Sequence, residues 1–211
     1  MKIWLNRLIP YITHLGSLLP LAWLVVDGFT NHLTANPIQA ITQRTGQIAL
    51  ILLFISLAVT PVNSILHIPV LAVQRRALGL YAFLYTMLHV LNYIGVDYGF
   101  AWGTLWAQMI EKRFLLVGVI SVLILIPLAV TSLNWWQKKM GKNWKVLHRL
   151  VYAAGVLAVL HYAWSLKGDL FRFSGDVLFP QVSLLTLSIL LILRLPPIRR
   201  WVSRHTRMLW A

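Results

Sequence analysis

Six long stretches of this chain contain no Asp, Glu, Lys or Arg: Leu8–Val26, Thr45–Gln74, Ala77–Val96, Phe114–Gln137, Leu150–Leu166 and Val177–Leu193. A helix that crosses a bilayer needs roughly 20 predominantly apolar residues. Hydrocarbon offers no partner to main-chain N–H and C=O groups, so stretches of this length cross as helices. Six of them use most of the 211 residues and leave no room for a soluble domain. The expected fold is an all-α integral membrane protein, one six-helix transmembrane bundle over residues 1–211. Its spans fall at about 8–26, 46–62, 77–96, 114–133, 147–165 and 177–194. Pro61, Asn63 and Pro69 read as the exit of the second span and a following loop.

Charge placement then sets the orientation. With the N-terminus inside, the inner segments hold Lys2, Arg7, Arg75, Arg76, Lys138, Lys139, Lys142, Lys145, Arg149, Arg194, Arg199, Arg200, Arg204 and Arg207, and no acid. The outer segments hold Arg44, Lys112, Arg113, Lys167 and Arg172 against Asp27, Asp97, Glu111, Asp169 and Asp176. The whole net charge of +14 lies on one face. Basic residues are retained in the cytoplasm, so both termini are expected there. Anionic headgroups account for the basic face, and a nucleic-acid footprint is not needed.

Cysteine is absent, which excludes disulfides, iron–sulfur clusters and covalently attached c-type haem. Lys2 and Arg7 before an apolar run imitate a signal peptide. The run is long for one and no A-x-A-like cleavage site follows, so it reads as a retained first helix anchored by Trp23. Pro20 and Pro127 lie inside spans and should kink them. Pro180 suits a helix start, and Pro196-Pro197 ends the last span before a basic tail. Trp135, Trp136 and Trp144 flank the inner loop as interface aromatics. No internal repeat is evident.

An ionisable or metal-ligating side chain inside an apolar span is costly and marks a functional site. Three histidines qualify. His89 lies in LYAFLYTMLHVLNYIG, and His148 and His161 share VLHRLVYAAGVLAVLHYAW, 13 residues apart. His89 falls in the outer half of its span, His161 near the outer end of the fifth, and His148 at the fifth span's inner entrance. At about 1.5 Å per residue, His148 and His161 sit roughly 20 Å apart along the axis. His89 and His161 are then at comparable depth on different helices, as axial ligation of one outer haem requires.

His148 is the candidate ligand of a second, inner haem. A symmetric partner would stand 13 or 14 residues before His89, where the chain has Arg76 and Arg75. These two are candidate contacts for haem propionates or a quinone. His14 is the remaining intramembrane histidine, a candidate inner ligand or quinone site. Thirteen helical residues turn the second ring by roughly 140°. A distortion near Gly155 or opposed rotamers must absorb that if His148 and His161 face one interior. His32, His67 and His205 fall in loops or the tail.

The run His14-Leu15-Gly16-Ser17-Leu18-Leu19-Pro20, the segment RRALGLYAF…LH through His89, and GKNWKVLHRLVYAAGVLAVLHYAWS with both later histidines resemble the MsrQ family. These are haem-binding membrane subunits of the bacterial periplasmic methionine-sulfoxide reductase system. The resemblance covers essentially the whole chain. It implies a ferric-reductase-like transmembrane domain, without the cytoplasmic FAD/NADPH domain that ferric reductases and NADPH oxidases carry.

The resemblance also implies an electron-transfer subunit rather than a catalytic one. It would pass electrons from the quinone pool, or from a cytoplasmic flavin reductase, to a periplasmic molybdopterin-containing methionine-sulfoxide reductase that repairs oxidised envelope proteins. His89, His148 and His161 match the family's haem-binding positions, for one or two b-type haems. FMN is associated with the family, although no glycine-rich phosphate loop is present here. Two other classes compete: a haem-free transporter with histidines as proton relays, and a structural anchor for a periplasmic enzyme. The spans hold no Asp or Glu, which proton-coupled transporters commonly use. Bound haem would exclude both.

Overall fold

The computed structural model describes residues 2–66, 68–166, 168–169, 174–175, 178–198 and 200–202. His67, Lys167, Arg172, Asp176, Arg199, Arg204, His205 and Arg207 lie outside these residues. In chain order the elements are α1 (Lys2–Phe29), α2 (Pro37–Leu66), α3 (Pro69–Leu91) running into a π-helical segment (Asn92–Asp97), α4 (Trp102–Glu111), α5 (Arg113–Val130), α6 (Asn134–Met140), α7 (Lys142–His148), α8 (Leu150–Ser165) and α9 (Leu178–Ile192). A minimal antiparallel ribbon, β1 (Gly168–Asp169) with β2 (Ser174–Gly175), precedes α9.

Five helical segments are long and apolar enough to cross a membrane: Arg7–Phe29, Pro37–Leu66, Pro69–Asp97, Arg113–Val130 and Lys142–Ser165. The sixth is Leu178–Ile192, broken before Pro196–Val202. Among the described residues there are thus five such segments, or six if that bent pair is one span; the first, second, third and fifth extend beyond the expected bounds, whereas Arg113–Val130 and Leu178–Ile192 stop short of the expected 133 and 194. The expected exit at Pro61 is not one, because α2 continues to Leu66. Arg75 and Arg76 lie within α3 rather than in a loop. The helices α4, α6 and α7 were not expected. Trp102, Trp106 and Ile110 of α4 are exposed, consistent with an apolar side lying at an interface. Gly141, at a φ of 53° that strongly favours glycine, separates α6 from α7.

The helices form two compact units, Met1–His89 with Ile189–Ala211, and Val90–Ser188. In the first, α2 supplies the core with Leu50, Leu52, Leu53, Leu57 and Val59. Tyr85 of α3 is fully buried, and its hydroxyl donates to the Ser17 carbonyl of α1 at 2.8 Å. Ser56 of α2 donates to the Arg75 carbonyl at 2.9 Å, close to Gly79. Small residues at such points let two helix backbones approach.

Pro61 explains a further contact in this unit. It has no N–H for the carbonyl four residues earlier, that of Leu57. The Arg194 guanidinium donates to that carbonyl at 2.5 Å. Asp27 was expected in a solvent-facing outer loop. Instead it ends α1, paired with Arg44 of α2 and accepting from Trp23 Nε1 at 3.1 Å. Its charge is therefore not available to a soluble partner.

In the second unit α5 and α8 pack through small residues. Ala154, Gly155 and Ala163 are buried, and Ser121 donates to the Ala154 carbonyl at 3.1 Å. The helix of the fifth span is interrupted at Arg149, not at Gly155. There Arg149 N bonds to the Val146 carbonyl and Tyr152 N to the Arg149 carbonyl, both three residues apart. Three-residue closure turns each residue by about 20° more than an α-helix does. The tighter closure at Arg149 offsets part of the roughly 140° mismatch between His148 and His161.

Candidate functional site

His89 projects from the last turn of α3 against α2. Its Nδ1 lies 2.8 Å from the Thr42 carbonyl. A carbonyl oxygen only accepts, so Nδ1 carries the hydrogen and the lone pair of the neutral ring is on Nε2. The ring lies over Gly46, where an added Cβ would stand 3.0 Å from Nδ1.

His161 repeats this arrangement in the other unit. Its Nδ1 donates to the Phe114 carbonyl of α5 at 2.8 Å. The ring lies over Gly118, where a Cβ would stand 2.6 Å from Nδ1 and 2.8 Å from Cε1. The Phe114 ring flanks the imidazole with centroids 5.8 Å apart. In both cases the acceptor precedes the histidine by 47 residues, and a glycine follows the acceptor by four. The likeness is one of spacing and not of a sequence repeat, since Thr42 in one unit corresponds to Phe114 in the other.

His148 is held differently. Its ring stacks on Trp144, with centroids 4.0 Å apart and planes 27° from parallel. Trp144 Nε1 donates to the Thr131 carbonyl at 2.8 Å. Thr131 Oγ1 donates to the Pro127 carbonyl at 2.6 Å and lies 3.1 Å from His148 Nε2. A hydroxyl has one hydrogen. With that hydrogen on the Pro127 carbonyl, the oxygen accepts from Nε2–H, and Nε2 is a donor where in His89 and His161 it is the basic nitrogen.

The other candidates are placed as follows. His14, on the exposed side of α1, has its Nδ1 3.0 Å from the Tyr81 hydroxyl, the rings meeting edge-on at 5.7 Å. Arg75 is half-buried and Arg76 exposed. His32 pairs locally with Thr30 at 2.7 Å. Among the described residues no three His, Cys, Asp or Glu side chains converge as a metal cluster.

The family model described as ferric reductase like transmembrane component matches residues 45–159, which includes His89 and His148 and stops two residues short of His161. A protein-methionine-sulfoxide reductase heme-binding subunit MsrQ from Rhodospirillum rubrum is 40% identical over 196 residues, covering 92% of this chain and 91% of the relative. The chain belongs to the MsrQ family. A second member, from Caulobacter vibrioides, is 42% identical over 165 residues, 78% of this chain and 79% of its own. A third, from Xanthomonas euvesicatoria pv. vesicatoria, is 37% identical over 165 residues, 75% and 76% of the two chains.

The MsrQ relatives are named for heme binding. Sequence reasoning missed the groups that aim the three histidines: Thr42, Gly46, Phe114, Gly118, Thr131 and Trp144. The usable signal was present, since Gly46 precedes His89 by the same 43 residues that separate Gly118 from His161.

Proposed function

We propose that this chain is the membrane electron-transfer subunit of a methionine-sulfoxide reductase system, and that His89 and His161 are axial ligands of a b-type haem. The observation that carries this reading is the pair of Nδ1–H bonds to the Thr42 and Phe114 carbonyls. A ligating histidine typically donates its other ring N–H to a carbonyl or carboxylate, which fixes its tautomer and raises its basicity. Both residues meet that requirement in an apolar setting, so the donor set fits the group. A haem held there supplies one-electron chemistry, and the protein sets position and electrostatics. The two carbonyls hold the rings in one tautomer.

His148 is the candidate ligand of a second, inner haem, and binding through Nε2 there requires the Thr131 contact to be given up. Arg75 and Arg76 are the candidate propionate or quinone contacts, and His14 with Tyr81 the candidate quinone site or second inner ligand. The six spans act as one haem-binding domain in a bacterial inner membrane, termini inside, as the basic residues on that side support. Electrons come from quinol or a flavin reductase and leave to a periplasmic molybdopterin-containing catalytic subunit. That partner docks on outer segments around Asp97–Arg113 and Lys167–Asp176, the second of which lies largely outside the described residues. FMN is implied by the family alone; the sequence holds no glycine-rich loop for its phosphate, and no step is assigned to it.

The test is a reduced-minus-oxidised spectrum of the purified chain in detergent, with haem counted per chain, for the parent and for His89→Ala and His161→Ala. A b-type spectrum at one or two haems per chain, its low-spin signal lost in both variants, is expected. No haem in a folded protein made with ample haem supply returns the chain to the transporter or anchor classes.

A further inference from the structure

Helical carbonyls are already bonded within their helix, so a side chain that captures one must use the second lone pair. It must approach over the turn that follows. In an α-helix each Cα–Cβ bond tilts toward the N-terminus, so a side chain covers the turn before its own Cα. The residue four positions after a carbonyl is therefore the one that shields it. For Thr42 that residue is Gly46, and for Phe114 it is Gly118.

The shape of the donor decides whether this matters. A hydroxyl at the tip of a side chain can slip past a larger neighbour. Tyr85 does so at the Ser17 carbonyl with Leu21 four residues on, and Ser121 at the Ala154 carbonyl with Ala158 four residues on. Nδ1 is not a tip atom, because it adjoins Cγ. The whole Nδ1–Cε1 edge of the ring must come onto the helix, and in both units it occupies the place of the missing Cβ.

We propose that Gly46 and Gly118 are positioning residues, whose missing side chains let His89 and His161 dock on the neighbouring helix and donate Nδ1–H to the Thr42 and Phe114 carbonyls, which sets each imidazole's orientation and strength as a haem ligand. The inference rests on the ligand assignment of the preceding subsection. The two glycines are not equivalent. A Cβ at Gly118 would lie 2.6 Å from Nδ1, 2.8 Å from Cε1 and 3.3 Å from Cγ of His161, so the ring has to leave. A Cβ at Gly46 would lie 3.0 Å from Nδ1 and 3.2 Å from Cε1 of His89, so a small displacement relieves it. Gly79 and Gly16 differ from both. A Cβ on Gly79 would meet Ser56 Oγ at 3.6 Å, and one on Gly16 would have nothing within 4 Å.

The experiment uses the full chain in detergent, loaded with haem, and compares Gly118→Ala, Gly46→Ala, Gly79→Ala and Gly16→Ala. Readouts are haem affinity, the low-spin electron paramagnetic resonance signal and the midpoint potential. Losing a ligand's outer hydrogen bond typically costs about 10- to 100-fold in metal affinity. Gly118→Ala should show a loss in that range, an altered low-spin signal and a raised potential, since a less basic imidazole favours ferric iron less. Gly46→Ala should shift the same quantities less, and the other two should match the parent. Alanine favours a helix over glycine, so helix propensity cannot produce the loss.

If Gly118→Ala does not fold, Gly46→Ala carries the test, its clash being the milder. An unchanged signal and potential in Gly46→Ala and in folded Gly118→Ala, with the signal lost in His161→Ala, overturns the role of the glycines and leaves the ligands standing. An unchanged signal in His89→Ala and His161→Ala overturns the ligand assignment itself.

Discussion

His161 and His148 lie 13 residues apart on one span, yet they present opposite nitrogens. His161 donates from Nδ1 to a main-chain carbonyl that no side-chain mutation in place can remove, and Nε2 is left basic. His148 rests on Trp144 and meets a threonine hydroxyl through Nε2. The lesson is that an intramembrane histidine is qualified as a ligand less by its depth than by which nitrogen its neighbours claim. His89 sorts with His161 on this criterion, although it is carried by a different helix in the other unit.

The strongest way to break the comparison is to remove the rings. His89→Ala and His161→Ala should each abolish the outer haem's low-spin signal, whereas His148→Ala should leave that signal in place and remove no more than a second haem equivalent. Haem quantified per chain beside the spectrum checks this. Loss of the outer signal in His148→Ala would show that the opposed nitrogens do not divide the histidines by role.

A smaller effect isolates the carbonyl. His161→Gly supplied with imidazole should regain a low-spin spectrum near the parent potential. With 1-methylimidazole, which has no N–H to donate, the spectrum should return at a higher potential. Equal potentials for the two would mean that the Phe114 carbonyl does not tune the ligand.

The smallest effect concerns a captured carbonyl with no redox role. Arg194 bonds the Leu57 carbonyl that Pro61 leaves open. Arg194→Met should lower stability by about 1–3 kcal/mol, the range for a hydrogen bond to a charged group, with the haem spectrum unchanged. In a Pro61→Ala background the restored N–H takes that carbonyl, and the same change should cost less. Thermal unfolding in detergent measures both. A spectral shift on Arg194→Met would break the distinction between carbonyls that orient a ligand and those that are merely satisfied.

Much of this architecture was legible in the chain because hydrocarbon permits few solutions. Runs without charge have to be helices, and five or six helical segments long and apolar enough to span appear among the described residues. His89, His148 and His161 stood out because such side chains are costly where they are. The extent of α2 beyond Pro61 was not legible, since a proline signals an exit only when nothing else fills the carbonyl it frees. Arg194, 133 residues away in sequence, fills it. The break at Arg149 was not legible either, the spacing of His148 and His161 having left open a distortion near Gly155 or opposed rotamers. Gly155 proved to be a packing position against α5, and the turn tightened where the chain leaves the basic inner segment.

By itself, then, the sequence determined the solvent, the helices, the polarity of charge across them and the residue types able to hold a haem. Those follow from composition and local spacing, on which hydrophobic transfer and main-chain satisfaction act directly. Only the tertiary structure decided which nitrogen of each histidine is basic. That depends on a carbonyl 47 residues away and on whether the side chain four residues beyond it is small enough to let a ring pass.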